Sequence, residues 1–389
     1  METAEDIASE TFLAAAQTWT YNGAPPNPTA WLYSVAKNKA KNYLQRGSTF
    51  EDKVAPHLLS DVEPGYEYDL DLSPQNINDS QLQMMFAICQ PVIPPEAQIG
   101  LSLRILCGFG IDEIAEAFLS NKETINKRLF RAKEKLRQEK VKIEIPGPQE
   151  IEERLETVLT TIYLLFSEGY YSVSQNQTLR KDLCLEAMRL CTMLAENKST
   201  NQPQVNALLA LMYFHSSRFD ARISSNGELI LYDEQDTNLW NTELISRGVY
   251  YFHKAGTGDK LSKYHLEAGI AYWNTQKTDT HEKWENVLQL YNRLLQIAYS
   301  PVAALNRTYA LSKANSKQEA IIEAEKLKLE NNQFYFALLG ELYTGIDTNK
   351  ALENFKSAFL LAKSPADKKA MQRKLDEIEL KKEITGNSM

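Results

Sequence analysis

The sequence predicts an all-α protein: two small helical domains, followed by a long extension of α-helical repeats. Apolar residues recur at helical spacing in helix-sized blocks, separated by short polar turns, along most of the chain. Only GELILYDEQ, around Gly227, has the makings of a brief strand. With 389 residues the chain exceeds what one hydrophobic core usually serves, so about two or three domains are expected.

Composition excludes several classes. A hydrophobic share of 43% and a charged share of 24% belong to an ordinary globular protein, not to a disordered tail. No apolar run approaches the ~18 residues of a membrane span, and METAEDIASE is acidic where a secretory signal is basic and then apolar. A cytoplasmic location is expected. Cys89, Cys107, Cys184 and Cys191 form no CxxC pair, which points to buried, reduced thiols.

The net charge of -8 conceals an asymmetry. Residues 122–142 carry nine Lys/Arg against Glu123, Glu134 and Glu139, a local +6 that leaves -14 elsewhere. Residues 31–46 hold Lys37, Lys39, Lys41 and Arg46 with no acid, and residues 47–80 between them hold eight acids and only Lys53.

In chain order, Thr3-x-x-Asp6 reads as a capping box opening a helix through about Trp19, with Ile7, Phe12, Ala15 and Trp19 as its buried stripe. The proline-rich stretch Asn22–Pro28 is a loop, and a second helix follows from about Thr29 to Gln45. Residues 47–78 lack a period and contain Pro56, Pro64, Gly65 and Pro74, so a linker separates two small domains. Helices resume at about Ser80–Cys89 and at Glu96–Leu106. Beyond Pro146-Gly147-Pro148 the chain is helical, with a repeat near its end. Phe336-x2-Leu339-Gly340-x2-Tyr343, then Ala351-x3-Phe355 and Pro365, fits the tetratricopeptide template with Phe in the Trp position. Leu305 and Tyr309 stand 34 residues before Leu339 and Tyr343, and Gly269-x2-Tyr272 reads as a more divergent copy. Such units bury their faces only by stacking.

The strongest local signal runs from Ile111 to Leu119, through Ser120-Asn121, to Lys122–Arg137. Ile114, Ala115 and Phe118 are expected to bury the first helix against Ile125 and Leu129 of the second, a helix-turn-helix arrangement. Thr124, Asn126, Lys127, Arg128 and Arg131 then point outward. A helix with a polar, basic outer face is what the major groove admits. A merely solvated face is the alternative, and the nine-to-three charge excess weighs against it.

Ala4–Leu13, Ala30–Leu44 and the helix-turn-helix ending in Arg131–Leu136 resemble conserved regions 2 and 4 of extracytoplasmic-function (ECF) sigma factors of the sigma-70 family. Tyr163–Tyr170, Asp182–Ala187, Leu231–Trp240 and Ser300–Arg307 are similar to the subgroup whose long C-terminal extension contains tetratricopeptide-like repeats. The resemblance implies a factor that directs RNA polymerase core enzyme to promoter DNA and initiates transcription. It implies sigma region 2 in residues 1–46, an acidic linker in 47–79, sigma region 4 in 80–142 and the extension in 149–389, clearest in 300–365.

Site residues follow from the same resemblance. Glu5, Asp6 and Glu10 correspond to the surface that docks on the polymerase. Tyr21, Asn22, Lys37, Asn38 and Lys41 correspond to the reader of the downstream promoter element, with Trp31 packed beneath a pocket for a flipped base. Thr124, Asn126, Lys127, Arg128, Phe130 and Arg131 correspond to the reader of the upstream element. Lys127 and Arg131 suit phosphates or guanine, Asn126 adenine, and Phe130 either a thymine methyl or the core. The linker's carboxylates suit a basic nucleic-acid channel, or serve as a solvated tether. Members carry another long helix ahead of the one at Asp6, for which Met1 leaves no room. An incomplete region 2 is therefore expected, with Phe12, Trp19 and Leu32 short of a packing partner.

Glu168, Asp182, Asp233, Glu234 and Asp236 have no companion nucleophile, metal-ligand spacing or phosphate loop, and His215, His253, His265 and His281 have no HxxxH spacing. Neither an enzyme nor a cofactor is expected. Tyr170, Asp182 and Trp240 are expected to pack and cap the extension. Its repeats are expected to bind a peptide, a protein or the sigma regions themselves, with no membrane partner. Two other readings stay open: a DNA-binding regulator that does not recruit polymerase, and a repeat scaffold that binds protein only.

Overall fold

The computed structural model describes residues 2–29, 31–40, 74–118, 120–170, 180–222, 230, 232–258, 260–362 and 365–386. The protein is all-α, with no strand among the described residues. Two units divide the chain, Met1–Met84 and Met85–Met389.

In the first unit, α1 spans Glu2–Asn22, and α2 includes the described helical residues 28–29 and 31–40. The α1 helix already includes Glu2, so Thr3 lies inside its first turn. The inward stripe is Ile7, Thr11, Ala15 and Trp19, where Thr11 and Ala15 are buried and the Trp19 and Trp31 rings meet edge-on at 5.4 Å. Phe12, expected in that stripe, is 63% exposed. Thr11 takes the inner position because its hydroxyl donates to the Ile7 carbonyl at 2.6 Å, so burial leaves no polar group unmet. Gly23 ends α1 with φ +77°, a left-handed residue that glycine adopts without a Cβ penalty, and its N–H bonds the Trp19 carbonyl.

The next helix, α3, begins at Pro74 and runs to Ile88, earlier than the start expected near Ser80. Pro74 has no N–H to lose in a first turn and its fixed φ suits one, so the residue read as a breaker is an initiator. Most of the expected linker, and Lys41 with it, lies outside the described residues.

In the second unit, α4 (Pro95–Ile105), α5 (Ile111–Ala117) and α6 (Lys122–Gln138) close around Leu101, Leu103, Ile114, Ile125 and Leu129. At the α4–α6 crossing, a Cβ on Gly100 would lie 2.9 Å from the Leu129 side chain. The following helices are α7 (Pro148–Tyr170), α8 (Lys181–Glu196) and α9 (Pro203–Ser216). They join the same core through polar as well as apolar contacts. Thr161 donates to the buried Gln98 at 2.9 Å, Arg154 donates to the Phe86 carbonyl and lies over its ring, and Arg189 donates to the Leu106 carbonyl at 3.0 Å. The helix α9 is buried all round, from Val205 to Phe214.

Beyond it, α10 (Thr242–Ala255), α11 (Lys263–Trp273), α12 (His281–Ile297), α13 (Pro301–Ala314), α14 (Lys317–Lys326), α15 (Gln333–Tyr343), α16 (Thr348–Leu361) and α17 (Pro365–Gly386) pack mostly as sequential pairs. Small residues mark the crossings: a Cβ on Gly340 would lie 2.9 Å from three atoms of the Phe355 ring. Leu339, Tyr343, Ala351 and Phe355 are buried at that crossing, Leu305 is buried in α13, and Phe336 and Tyr309 pack partly buried against the same core. In the GELILYDEQ stretch, Tyr232–Glu234 forms a short 3-10 turn, so this described part is not a strand.

Candidate nucleic-acid interface

The helix pair α5–α6 is positioned by local chemistry on both sides. Glu113 accepts from the Gly110 N–H at 2.6 Å and so satisfies a free donor at the start of α5. In the turn that follows, the Ser120 N–H reaches the Ala115 carbonyl at 2.8 Å. Asn121, extended at φ -104° and ψ 158°, caps α6 by accepting from the Thr124 N–H at 2.8 Å. At the far end Lys140 is left-handed at φ 50°, its N–H bonds the Arg137 carbonyl, and the Val141 N–H bonds the Leu136 carbonyl, a Schellman closure built on lysine.

One face of α6 is therefore fixed inward, through Ile125, Leu129 and Ala132 at one to four per cent exposure. Ile114 and Ala115 meet it as the sequence pattern requires. The opposite face presents Thr124, Asn126, Lys127, Phe130 and Arg131, all exposed. Phe130 is 66% exposed, which removes its core reading. Arg128 departs from the expected outward set: it is half-buried, with its guanidinium 5.6 Å from the centre of the Phe118 ring. A planar cation stacks on an aromatic face more favourably than it stands alone in water, so Arg128 braces the helix pair. Several neighbouring charges are neutralised, in Lys122–Asp112, Arg137–Glu134 and Lys135–Glu139. Among the described residues, Lys127 and Arg131 take part in no ion pair. Burial, with Arg104 as the lesser cause, lowers the pKa of Lys133 behind them.

In the first unit, Lys37 and Asn38 are exposed on α2, and half-buried Trp31 rests on Trp19. The side chains of Tyr21, Asn22 and Glu5, like all of Lys41, lie outside the description. Asp6 is exposed on α1. Glu10 is exposed too, but Lys39 of α2 holds it at 2.8 Å, a pairing the sequence reading missed.

The carboxylates of the extension serve local structure. Arg180 bonds Asp182 and holds its carboxyl below the usual range. Asp236 accepts from the Asn238 N–H at 2.9 Å, and Arg373 takes Glu234 at 2.6 Å. Burial alone raises Glu168. Tyr170 and Trp240 are buried, as expected of packing residues. Burial pushes the Cys89 thiol up to about 11 and Cys184 up to about 12, and raises Cys191 as well. Gln98, Thr161 and Arg154 belong to no motif of the sequence. Gln98 left a signal, a polar residue in the otherwise apolar α4 stripe, which a buried partner has to satisfy.

Residues 1–49 match the family model of sigma-70 region 2, and residues 154–256 match that of a family of unknown function (DUF6596). The ECF RNA polymerase sigma-E factor of Haemophilus influenzae is 26% identical over 137 residues, which cover 33% of this chain and 70% of that protein. No solved structure matches the chain. The region 2 match and the sigma-E likeness relate the N-terminal part of the chain to sigma-70 factors. More particularly, the chain belongs to the family of the Uncharacterized protein R00370 of Rhizobium meliloti, with 30% identity over 383 residues covering 97% of this chain and 90% of that protein.

Proposed function

We propose that this protein is a cytoplasmic sigma factor of the ECF type, which brings RNA polymerase core enzyme to specific promoters and initiates transcription without catalytic chemistry or a cofactor of its own. The observation that carries the reading is α6: its apolar face is locked into the core, while Asn126, Lys127, Phe130 and Arg131 stand exposed on the other. We assign α5–α6 to the helix-turn-helix of region 4, within residues 80–142, and α1–α2 to region 2, within residues 1–46. The acidic linker is the part of residues 47–79 that precedes α3. Lys127 and Arg131 suit phosphates and guanine edges, Asn126 suits adenine, and Phe130 a thymine methyl. Arg128 supports these residues through its stack on Phe118. Tyr21, Asn22, Lys37, Asn38 and Lys41 are assigned to the downstream element, and Asp6, with Glu5 and Glu10, to the polymerase. Residues 149–389, with their tetratricopeptide-like pairs, regulate the factor or hold a protein partner.

Two substitutions separate the functions. Arg131→Ala weakens promoter binding by roughly tenfold, the loss of one base or phosphate contact, and leaves stability unchanged. Asp6→Lys weakens association with core polymerase and leaves DNA affinity intact; it is a cleaner probe than Glu10→Lys, which also breaks the Lys39 pair. Unchanged DNA affinity in Arg131→Ala contradicts the groove assignment, and unchanged polymerase association in Asp6→Lys contradicts the docking assignment.

A further inference from the structure

Just past the end of α9, Arg218 is only 7% exposed, and no carboxylate among the described residues pairs with it. Four acids whose side chains are described are engaged elsewhere: Asp182 with Arg180, Asp220 with Lys181, Asp279 between Lys283 and Lys313, and Glu234 with Arg373. Glu168 is raised by burial alone, with no cation holding it down. What surrounds Arg218 is aromatic. Its guanidinium lies 5.2 Å from the centre of the Tyr232 ring, and it donates to the Tyr170 hydroxyl over a long 3.4 Å.

Further positive charge collects at the same place. The Arg222 guanidinium lies 3.8 Å over the Tyr170 ring, Lys283 donates to the Tyr232 hydroxyl at 2.9 Å, and the His215 ring is 4.6 Å from Tyr170. Burial, then Arg218 and Arg222, drive His215 well below its usual pKa, so this histidine is neutral and adds no charge of its own. Trp240 packs on the other side of this group, its ring 6.3 Å from Tyr232. Two buried donors here have no acceptor among the described residues: Arg218 Nε and Trp240 Nε1. The carbonyl end of α9 offsets part of the Arg218 charge, but it leaves Nε unbonded. A buried cation with an unmet donor is costly where it serves stability alone, and it is what a site for an anion needs. Tyr232, Arg222 and His215, at the edge of the group, are only half-buried.

We propose that Arg218, Arg222, Tyr232 and Trp240 form a binding site for a small oxyanion, the phosphate or carboxylate group of a small-molecule ligand. The oxygens accept from Arg218 Nε and Trp240 Nε1, Arg222 adds charge, and the Tyr232 ring supplies a flat wall. The extension is then a ligand-binding module. This holds on the full chain alone and does not depend on the sigma-factor reading.

The test is thermal denaturation of the full chain in phosphate, in acetate and in chloride at matched ionic strength. Wild type shows a saturable rise in Tm of about 2 °C once the bound anion exceeds its Kd tenfold. The general stabilisation that phosphate gives any protein grows without saturating and is common to all variants. Arg218→Met keeps the length of the side chain and removes the charge; it raises Tm in chloride and abolishes the saturable response. Trp240→Phe, which removes one N–H and keeps the ring, retains the fold and weakens the response at least fivefold. A response to acetate and not phosphate, or the reverse, identifies the ligand's anionic group. No saturable response to either anion in wild type, or an undiminished response in Trp240→Phe and Arg218→Met, overturns the proposal.

Discussion

Replacing Gly169 with alanine tests the close crossing of α7 and α8. A Cβ at Gly169 would stand 2.7 Å from the Arg180 carbonyl oxygen, 2.8 Å from Cys184 Sγ and 2.9 Å from Leu183 Cβ. The first and last of these cannot rotate away, so the start of α8 has to shift as a body. Overpacking of this kind costs about 1–3 kcal/mol, and a rigid backbone obstacle places it at the upper end. The shift also strains the bond from the Arg180 N–H to the Gly169 carbonyl, now 3.0 Å, worth about 1 kcal/mol. Alanine returns about 1 kcal/mol of helix propensity. The net expectation is a loss of about 2–3 kcal/mol, read as a lower urea midpoint at unchanged slope. Gly147→Ala, where an added Cβ meets nothing within 4 Å, is the control and stays within about 0.5 kcal/mol of wild type. A Gly169→Ala protein as stable as wild type, or more stable by the propensity term, refutes the close crossing.

Leu129→Ala, at 2% exposure, costs about 2–5 kcal/mol in denaturation experiments, and a loss below about 1 kcal/mol would place Leu129 outside the core. Lys140→Gly relieves the left-handed residue at the end of α6 and stabilises by about 1 kcal/mol; a destabilised variant would contradict the Schellman closure. Cys89, Cys184 and Cys191 resist thiol reagents at pH 8 in the native protein, since burial keeps them protonated, and react after denaturation. Rapid native labelling of any of these three contradicts their burial. His215 titrates in the unfolded chain near pH 6.5 but far lower when folded, so its contribution is present above pH 6.5 and is lost as pH falls toward the folded value. The raised carboxyls of Glu168 and Glu267 act in the opposite sense, so the comparison is with His215→Gln, whose stability falls less between pH 7 and 5. Parallel pH profiles would contradict the His215 assignment.

Much of α5–α6 is legible from spacing alone. Ile114, Ala115, Ile125 and Leu129 can satisfy a helical period only by facing one another, and Asn121 has the side chain a cap needs. The template residues of α15–α16 are legible for the same reason, because Gly340 and Phe355 are complementary in size. Periodicity misplaces residues where two types compete for one position. Thr11 displaces Phe12 by bonding its own helix, and Arg128 leaves the outer face because Phe118 offers it a ring. At Pro74 composition alone does not distinguish a helix's first turn from a loop. The group around Arg218 draws on α7, α9 and the Tyr232–Trp240 segment, and no local pattern announces contacts assembled from such distant parts of the chain.

We propose that α1–α2 and α5–α6 together direct this protein to promoters. In vitro transcription of a genomic DNA library by core RNA polymerase, with and without the full-length protein, tests it most directly. New transcripts are expected whose start sites share an upstream and a downstream element, and they are lost with Arg131→Ala and Asp6→Lys. Identical transcript profiles with and without the protein would contradict it.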